Sequence, residues 1–183
     1  MRKVAAIACA SALALTLAGC GGQEPEATES QQGQSQESQL SYTEKVRAAG
    51  LPTIDEINSY REILPLEEMQ DLTDRTGTAL DAAINGDVSQ LLSLQKEASA
   101  LFQDFTKVTV PNSLSDLHSE YRDAVYNTTQ AITSYTLAFT TTDPTDIGGY
   151  LEQGNTHMEA STESLYDAND EMADMMERLE SIQ

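Results

Sequence analysis

From residue 147 to residue 182, apolar or small side chains recur in steps of four and three residues without interruption. This spacing is typical of a helix that packs along one continuous seam against another helix. The seam positions are Ile147, Leu151, Gly154, Met158, Ser161, Leu165, Ala168, Met172, Met175, Leu179 and Ile182. The sequence therefore predicts one long helix at the end of the chain, and this helix needs at least one partner helix to cover its seam.

Start and stop signals define two helices in the first half of the folded part. Thr53 and Glu56 have the spacing of a capping box, which predicts the start of the first helix. Pro65 predicts a kink or break in that helix, because proline has no backbone N–H to donate. Asn85-Gly86 ends the apolar pattern, and a second pattern then runs from Val88 to Phe105.

A third helix is predicted to begin near Ser113, and "TTDPTD" places Asp143 and Pro144 at the start of the last helix. The apolar or small positions of the third helix are Leu114, Leu117, Tyr121, Ala124, Thr128, Ala131, Tyr135 and Ala138. Short connections make neighbouring helices antiparallel. The predicted fold is an all-α, up-down-up-down four-helix bundle, with the first helix kinked or broken near Pro65 and a short helix over 41–49 packed outside.

The start of the chain has the layout of an export signal. Arg2 and Lys3 precede the uncharged apolar run 4–19, which is shorter than the roughly 20 residues that span a bilayer. Leu17, Ala18, Gly19 and Cys20 follow one another at its end.

This tetrapeptide resembles the lipobox of bacterial lipoproteins at every position. The resemblance implies cleavage before Cys20 and a diacylglyceryl thioether on its sulfur, with palmitate-type acyl chains that hold the mature protein on the extracytoplasmic face of the cell membrane. The segment "VPNSLSDLHSEYRDAV" also resembles small helical-bundle lipoproteins from Gram-positive bacteria, a family that implies no activity. Cleavage nearby as an ordinary secretory signal is the alternative.

The mature chain is strongly acidic. The formal net charge of the whole sequence is −20, and loss of Arg2 and Lys3 with the signal brings it to −22. Such a surface repels nucleic acid and attracts cations and basic partners. Residues 20–40 are rich in Gln, Ser, Glu and Gly, which predicts a disordered tether between the lipidated cysteine and a helical domain at 41–183.

Few residues offer chemistry. If the last two helices turn back near residues 142 and 143, residues at the same height along the bundle have numbers that add up to about 285. His118 and His157 then lie ten residues apart along the bundle, so they share no site. That register places His118 opposite Asp167 and His157 opposite Thr128. Met172 and Met175 suggest a Cu(I) site, but both fall on the seam, where methionine ordinarily packs in a core. The sequence predicts no metal and no cofactor.

The start of the last helix contains a local conflict. Gly148, Gly149 and Gly154 stand where good helix formers are expected, and each costs roughly 1 kcal/mol relative to alanine. Close helix approach, fraying of the first turns, or a shallow groove each explain them. The groove would be floored by these glycines and walled by Tyr135 and Tyr150, and it would accept an aromatic or peptide side chain.

No nucleophile, zinc or phosphate-loop motif is present in the sequence, and we expect no enzyme. The leading hypothesis is a membrane-anchored, non-enzymatic interaction module with a protein partner and no nucleic acid. A receptor lipoprotein for a small molecule or cation is the alternative.

Overall fold

The computed structural model describes residues 40–182, which form an all-helical bundle without a strand in that range. The predicted all-α class is therefore confirmed. The predicted signal peptide, Cys20 and the predicted tether up to residue 39 lie outside the described residues. The helices are α1 (Tyr42–Ala48), α2 (Ile54–Arg61), α3 (Leu66–Ile84), α4 (Ser89–Phe105), α5 (Ser115–Thr140) and α6 (Ile147–Ser181), with a 3₁₀ turn at Asn112–Leu114 before α5.

The first predicted helix is broken at the proline. The α2 helix ends at Arg61, and Pro65 is the residue before α3. The capping box at the start of α2 is present, because the Thr53 hydroxyl accepts from the Glu56 amide at 3.2 Å and the Glu56 carboxylate accepts from the Thr53 amide at 2.7 Å. The short helix predicted outside the bundle is α1, which buries Val46 completely.

The α5 helix is the centre of the bundle, since it packs against α3, α4 and α6. Every apolar position predicted for it is buried, and a further stripe is buried beside them, at Val125, Thr129, Ile132 and Thr136. That second stripe faces α4. The Thr129 hydroxyl lies 3.1 Å from the carbonyl oxygen of Ala98, and the Thr136 hydroxyl lies 3.4 Å from that of Leu91.

The most extensive contact of the bundle joins α5 to α6, and the two helices run antiparallel. Tyr121 donates to Asn169 at 3.3 Å, and Tyr135 donates to Asn155 at 2.8 Å. The numbers of these pairs add up to 290, whereas those of the His157–Asn127 and Ser161–Ala124 hydrogen bonds add up to 284 and 285, so the expected sum of about 285 agrees with the contact to within about one and a half helical turns. The predicted start of the last helix at Asp143 and Pro144 is too early, because α5 ends at Thr140 and α6 begins only at Ile147.

Small residues on α6 let the two backbones approach each other. Gly154, Ser161 and Ala168 recur every seven residues, and all three are buried. The Ser161 hydroxyl lies 2.8 Å from that of Thr128 and donates to the carbonyl oxygen of Ala124 at 2.9 Å. Because both hydroxyls are hydrogen-bonded, the cost of removing them from water in the middle of the contact is offset. All the other seam positions of α6 are buried or half-buried, so the predicted seam is confirmed.

None of the six helices in the described part of the chain combines the length and the apolarity that a membrane span requires.

Two glycines of α6 allow a matched test of the close contact. A Cβ added at Gly154 would overlap the ring of Tyr135, whereas a Cβ added at Gly149 meets nothing within 4 Å. We expect Gly154→Ala to lower the free energy of unfolding by about 1 to 3 kcal/mol through overpacking. Gly149→Ala should leave it unchanged or raise it by up to about 1 kcal/mol through helix propensity. Urea denaturation measures both, and stabilisation by both variants would contradict the close contact.

Candidate functional site

The groove predicted around the glycines of α6 is filled by the side chain of Tyr135, which was expected to form one of its walls. The ring of Tyr135 lies directly over Gly154, and Tyr135 is only 5% exposed. Gly148 and Gly149 are exposed at the start of α6, and Tyr150 is half-buried. This geometry corrects the prediction: Gly154 marks a close approach of two helices, because a glycine opposite a tyrosine leaves room for the aromatic ring and for no further side chain.

Neither histidine contacts a carboxylate at hydrogen-bonding distance in the described structure. His118 was expected opposite Asp167, but its Nδ1 lies 3.2 Å from the Tyr60 hydroxyl of α2, and its ring packs on Phe105 at 4.7 Å between centroids. His157 lies close to its expected level, with Nδ1 3.1 Å from the side-chain oxygen of Asn127.

The methionines of the last helix are part of the core. Met175 is buried, and Met172 packs against the same apolar cluster as Leu117 and Leu179. Within residues 40–182, no three His, Cys, Asp or Glu side chains come together in a way that would hold a metal ion.

Buried and half-buried titratable groups gather where α2 and α6 meet α5. Burial lowers the pKa of His118, and the nearby Arg122 lowers it further. Burial also raises the pKa of Tyr60, which is 2% exposed. The pKa of Glu171 on α6 is raised by burial and by the neighbouring carboxylates of Asp116 and Glu120. At neutral pH this hydrogen bond therefore joins a protonated phenol to an uncharged imidazole, and it connects α2 to the central helix.

An acidic groove runs between α3 and α4. Its volume is about 670 Å³, and it is lined by five acidic residues together with Leu72, Ala100 and Leu101; the acidic residues are Glu67, Glu68, Asp71, Glu97 and Asp104. Arg75 of α3 already binds two of these carboxylates, at 2.8 Å from both Asp71 and Glu97. This groove is the surface on which the cation-receptor hypothesis depends.

A different surface lies between α4 and α5, on the outside of the bundle. Two contacts join the helices along this surface. Gln95 and Thr133 form a hydrogen bond of 3.5 Å, and the rings of Phe102 and Tyr126 pack with their centroids 5.5 Å apart. We call it the α4–α5 surface; it consists of Leu92, Gln95, Ser99 and Phe102 of α4 and Tyr126, Gln130, Thr133 and Leu137 of α5. None of these residues is charged.

Large apolar side chains are open to solvent at both ends of the α4–α5 surface. Leu92 and Leu137 are 40% and 41% exposed at one end, and Tyr126 is 43% exposed at the other. The distance from Leu92 to Phe102 along α4 is about 15 Å at 1.5 Å per residue. This surface could not be recognised from the sequence, because its residues fall beside the core stripes of two helices and come together only when α4 and α5 pack.

Comparison of the chain with protein-family models, curated proteins and solved structures gave no significant match.

The Tyr60–His118 hydrogen bond predicts a dependence of stability on pH. The pKa of a histidine in an unfolded chain is about 6.5, and that of His118 is lower in the folded protein. The unfolded state therefore binds more protons as the pH falls below about 6.5, and the free energy of unfolding decreases with it. Glu171, with its raised pKa, contributes with the opposite sign.

We expect the wild-type protein to lose more stability between pH 7.5 and pH 5.5 than His118→Gln, which keeps an acceptor for Tyr60 but does not titrate. His157→Gln is the control, and thermal denaturation across this pH range measures all three proteins. Equal losses in the wild type and in His118→Gln would contradict a half-buried neutral histidine at position 118.

Proposed function

We propose that this protein is a lipid-anchored, non-enzymatic interaction module on the extracytoplasmic face of a bacterial cell membrane. The anchor rests on the lipobox-like sequence at Leu17–Cys20. Each buried methylene contributes about 0.8 kcal/mol, so two acyl chains on Cys20 would hold the protein stably on a bilayer.

The fold suggests how such an anchor would orient the domain. The described chain begins at Leu40, and the hydroxyl of Tyr42 lies 3.5 Å from the carbonyl oxygen of Leu179, near the end of α6. The start of the domain and the end of α6 therefore share one end of the bundle. The turns at Gly86 and Asp143 lie at the opposite end, because α4 and α5 run between the two ends. We infer that the end with Tyr42 is proximal to the membrane.

The predicted tether sets the freedom of the domain. A flexible chain of about twenty residues has a root-mean-square reach of roughly 25 Å. The long sides of the bundle, which include the α4–α5 surface, would then be accessible to molecules at the same membrane and beyond it.

The observation that carries the proposed interaction is the α4–α5 surface. Exposed leucine and tyrosine side chains on an otherwise acidic domain favour contact with another macromolecule, because contact removes their apolar area from water. The surface is shallow and lies along two rigid helices, a shape that suits another helical surface.

The two cysteines allow a matched test of the anchor. Cys20→Ala should abolish incorporation of labelled palmitate and move the protein out of the membrane fraction, because the thiol that accepts the lipid is gone. Cys9→Ala changes a cysteine upstream of the cleavage site and should leave both readouts unchanged. Palmitate labelling that persists in Cys20→Ala would refute the lipoprotein assignment.

A second test concerns the surface. A photoreactive phenylalanine at position 130, in place of Gln130 on the α4–α5 surface, should give crosslinked products in intact cells. The same group at the exposed position of Glu163 on α6 is the control and should give few. Equal yields at both positions, or no product at position 130, would contradict an interaction through this surface.

A further inference from the structure

Charge decides which molecule fits the α4–α5 surface. The mature chain carries a formal charge of −22, so two copies repel each other wherever their carboxylates meet. The α4–α5 surface contains none. Of the charged side chains one helical turn from its apolar residues, Lys96 and Arg122 are basic, and Asp123 is acidic and lies beside Arg122.

Two carboxylates close to the end of the surface that contains Phe102 and Tyr126 are partly neutralised by basic side chains. Asp104 is bound by Lys107 at 2.8 Å, and Asp123 lies 3.7 Å from Arg122. A copy that approached the acidic α3–α4 groove would instead face several carboxylates, with the positive charge of Arg75 beside two of them. The α4–α5 surface is therefore a place where two copies of this acidic protein can approach with no carboxylate on the surface itself and with Asp104 and Asp123 at its end beside basic side chains.

We propose that the α4–α5 surface binds a second copy of this chain, which forms a twofold symmetric dimer. This inference deepens the proposed function, because it names the partner of the same surface. A twofold interface is self-complementary, so one surface serves both copies. If the twofold axis runs parallel to the helices, the leucines of the two copies face each other at one end of the interface. At the other end, Phe102 of each copy faces Tyr126 of the other copy.

The same symmetry agrees with anchoring on one membrane. An axis along the helices keeps the Tyr42 ends of both copies on the same side, where their tethers would begin. The neutral polar side chains between the two apolar ends, Gln95, Ser99, Gln130 and Thr133, can exchange hydrogen bonds across the axis. Confinement of both copies to one membrane raises their effective concentration, so a contact that is weak in solution is sufficient.

Sedimentation equilibrium of the mature chain, residues 20–183 with Cys20→Ser to remove the lipid, tests the proposal. We expect a reversible monomer–dimer equilibrium that strengthens when sodium chloride is raised, because salt screens the repulsion between two acidic chains. Tyr126→Glu should weaken dimerisation by about tenfold or more, since it places a carboxylate against Phe102 of the other copy and adds negative charge to a contact between two acidic chains.

Tyr166→Glu is the matched control, because Tyr166 is a still more exposed tyrosine, on α6, and lies outside the surface. It should leave the dimerisation constant unchanged, and circular dichroism must show that both variants fold. A chain that stays monomeric at all concentrations and salt levels would overturn the proposal, as would equal effects of the two substitutions. Crosslinks from position 130 to a different protein, together with a monomeric chain, would refute the dimer and leave the proposed function intact.

Discussion

The close contact between α5 and α6 positions the other elements of the bundle. It depends on small side chains at Gly154, Ser161 and Ala168, which bring the α6 backbone near enough for the Tyr135 ring to cover a glycine and for two hydroxyls to bond. With one side of α5 occupied in this way, its remaining apolar side chains are available to α3 and α4. The central helix is thus buried on more than one face, and the outer helices each pack along one stripe.

Much of this arrangement can be predicted from local sequence. The seam of α6, the capping box at Thr53 and the break at Pro65 depend on residues close together in the chain, and all three are present. The level of α5 against α6 could be predicted only approximately, and the start of α6 at Ile147 could not, because Asp143 accepts from the Thr145 amide in a turn that precedes the helix. The Tyr60–His118 hydrogen bond could not be predicted either, since it joins residues that are 58 positions apart.

The candidate site shows the same division between local and tertiary information. The glycines of α6 suggested a groove because a local conflict has several physical explanations, and only the tertiary contact shows that Tyr135 fills the space. The α4–α5 surface could not be recognised from the sequence, because no local conflict marks its residues in either helix. Each helix contributes a few unremarkable residues to it, and the apolar, uncharged character arises when both helices pack side by side on a strongly acidic domain.

Native-state hydrogen exchange measures most directly whether the α5–α6 contact holds the bundle together. If it does, backbone amides around Ile132 in α5 and around Ser161 in α6 should exchange only through global unfolding, with protection equal to the full free energy of unfolding. Amides of α1 and α2, which close one end of the bundle, should exchange through smaller openings. Exchange in the middle of α5 or α6 that is as fast as in α1 would contradict the account.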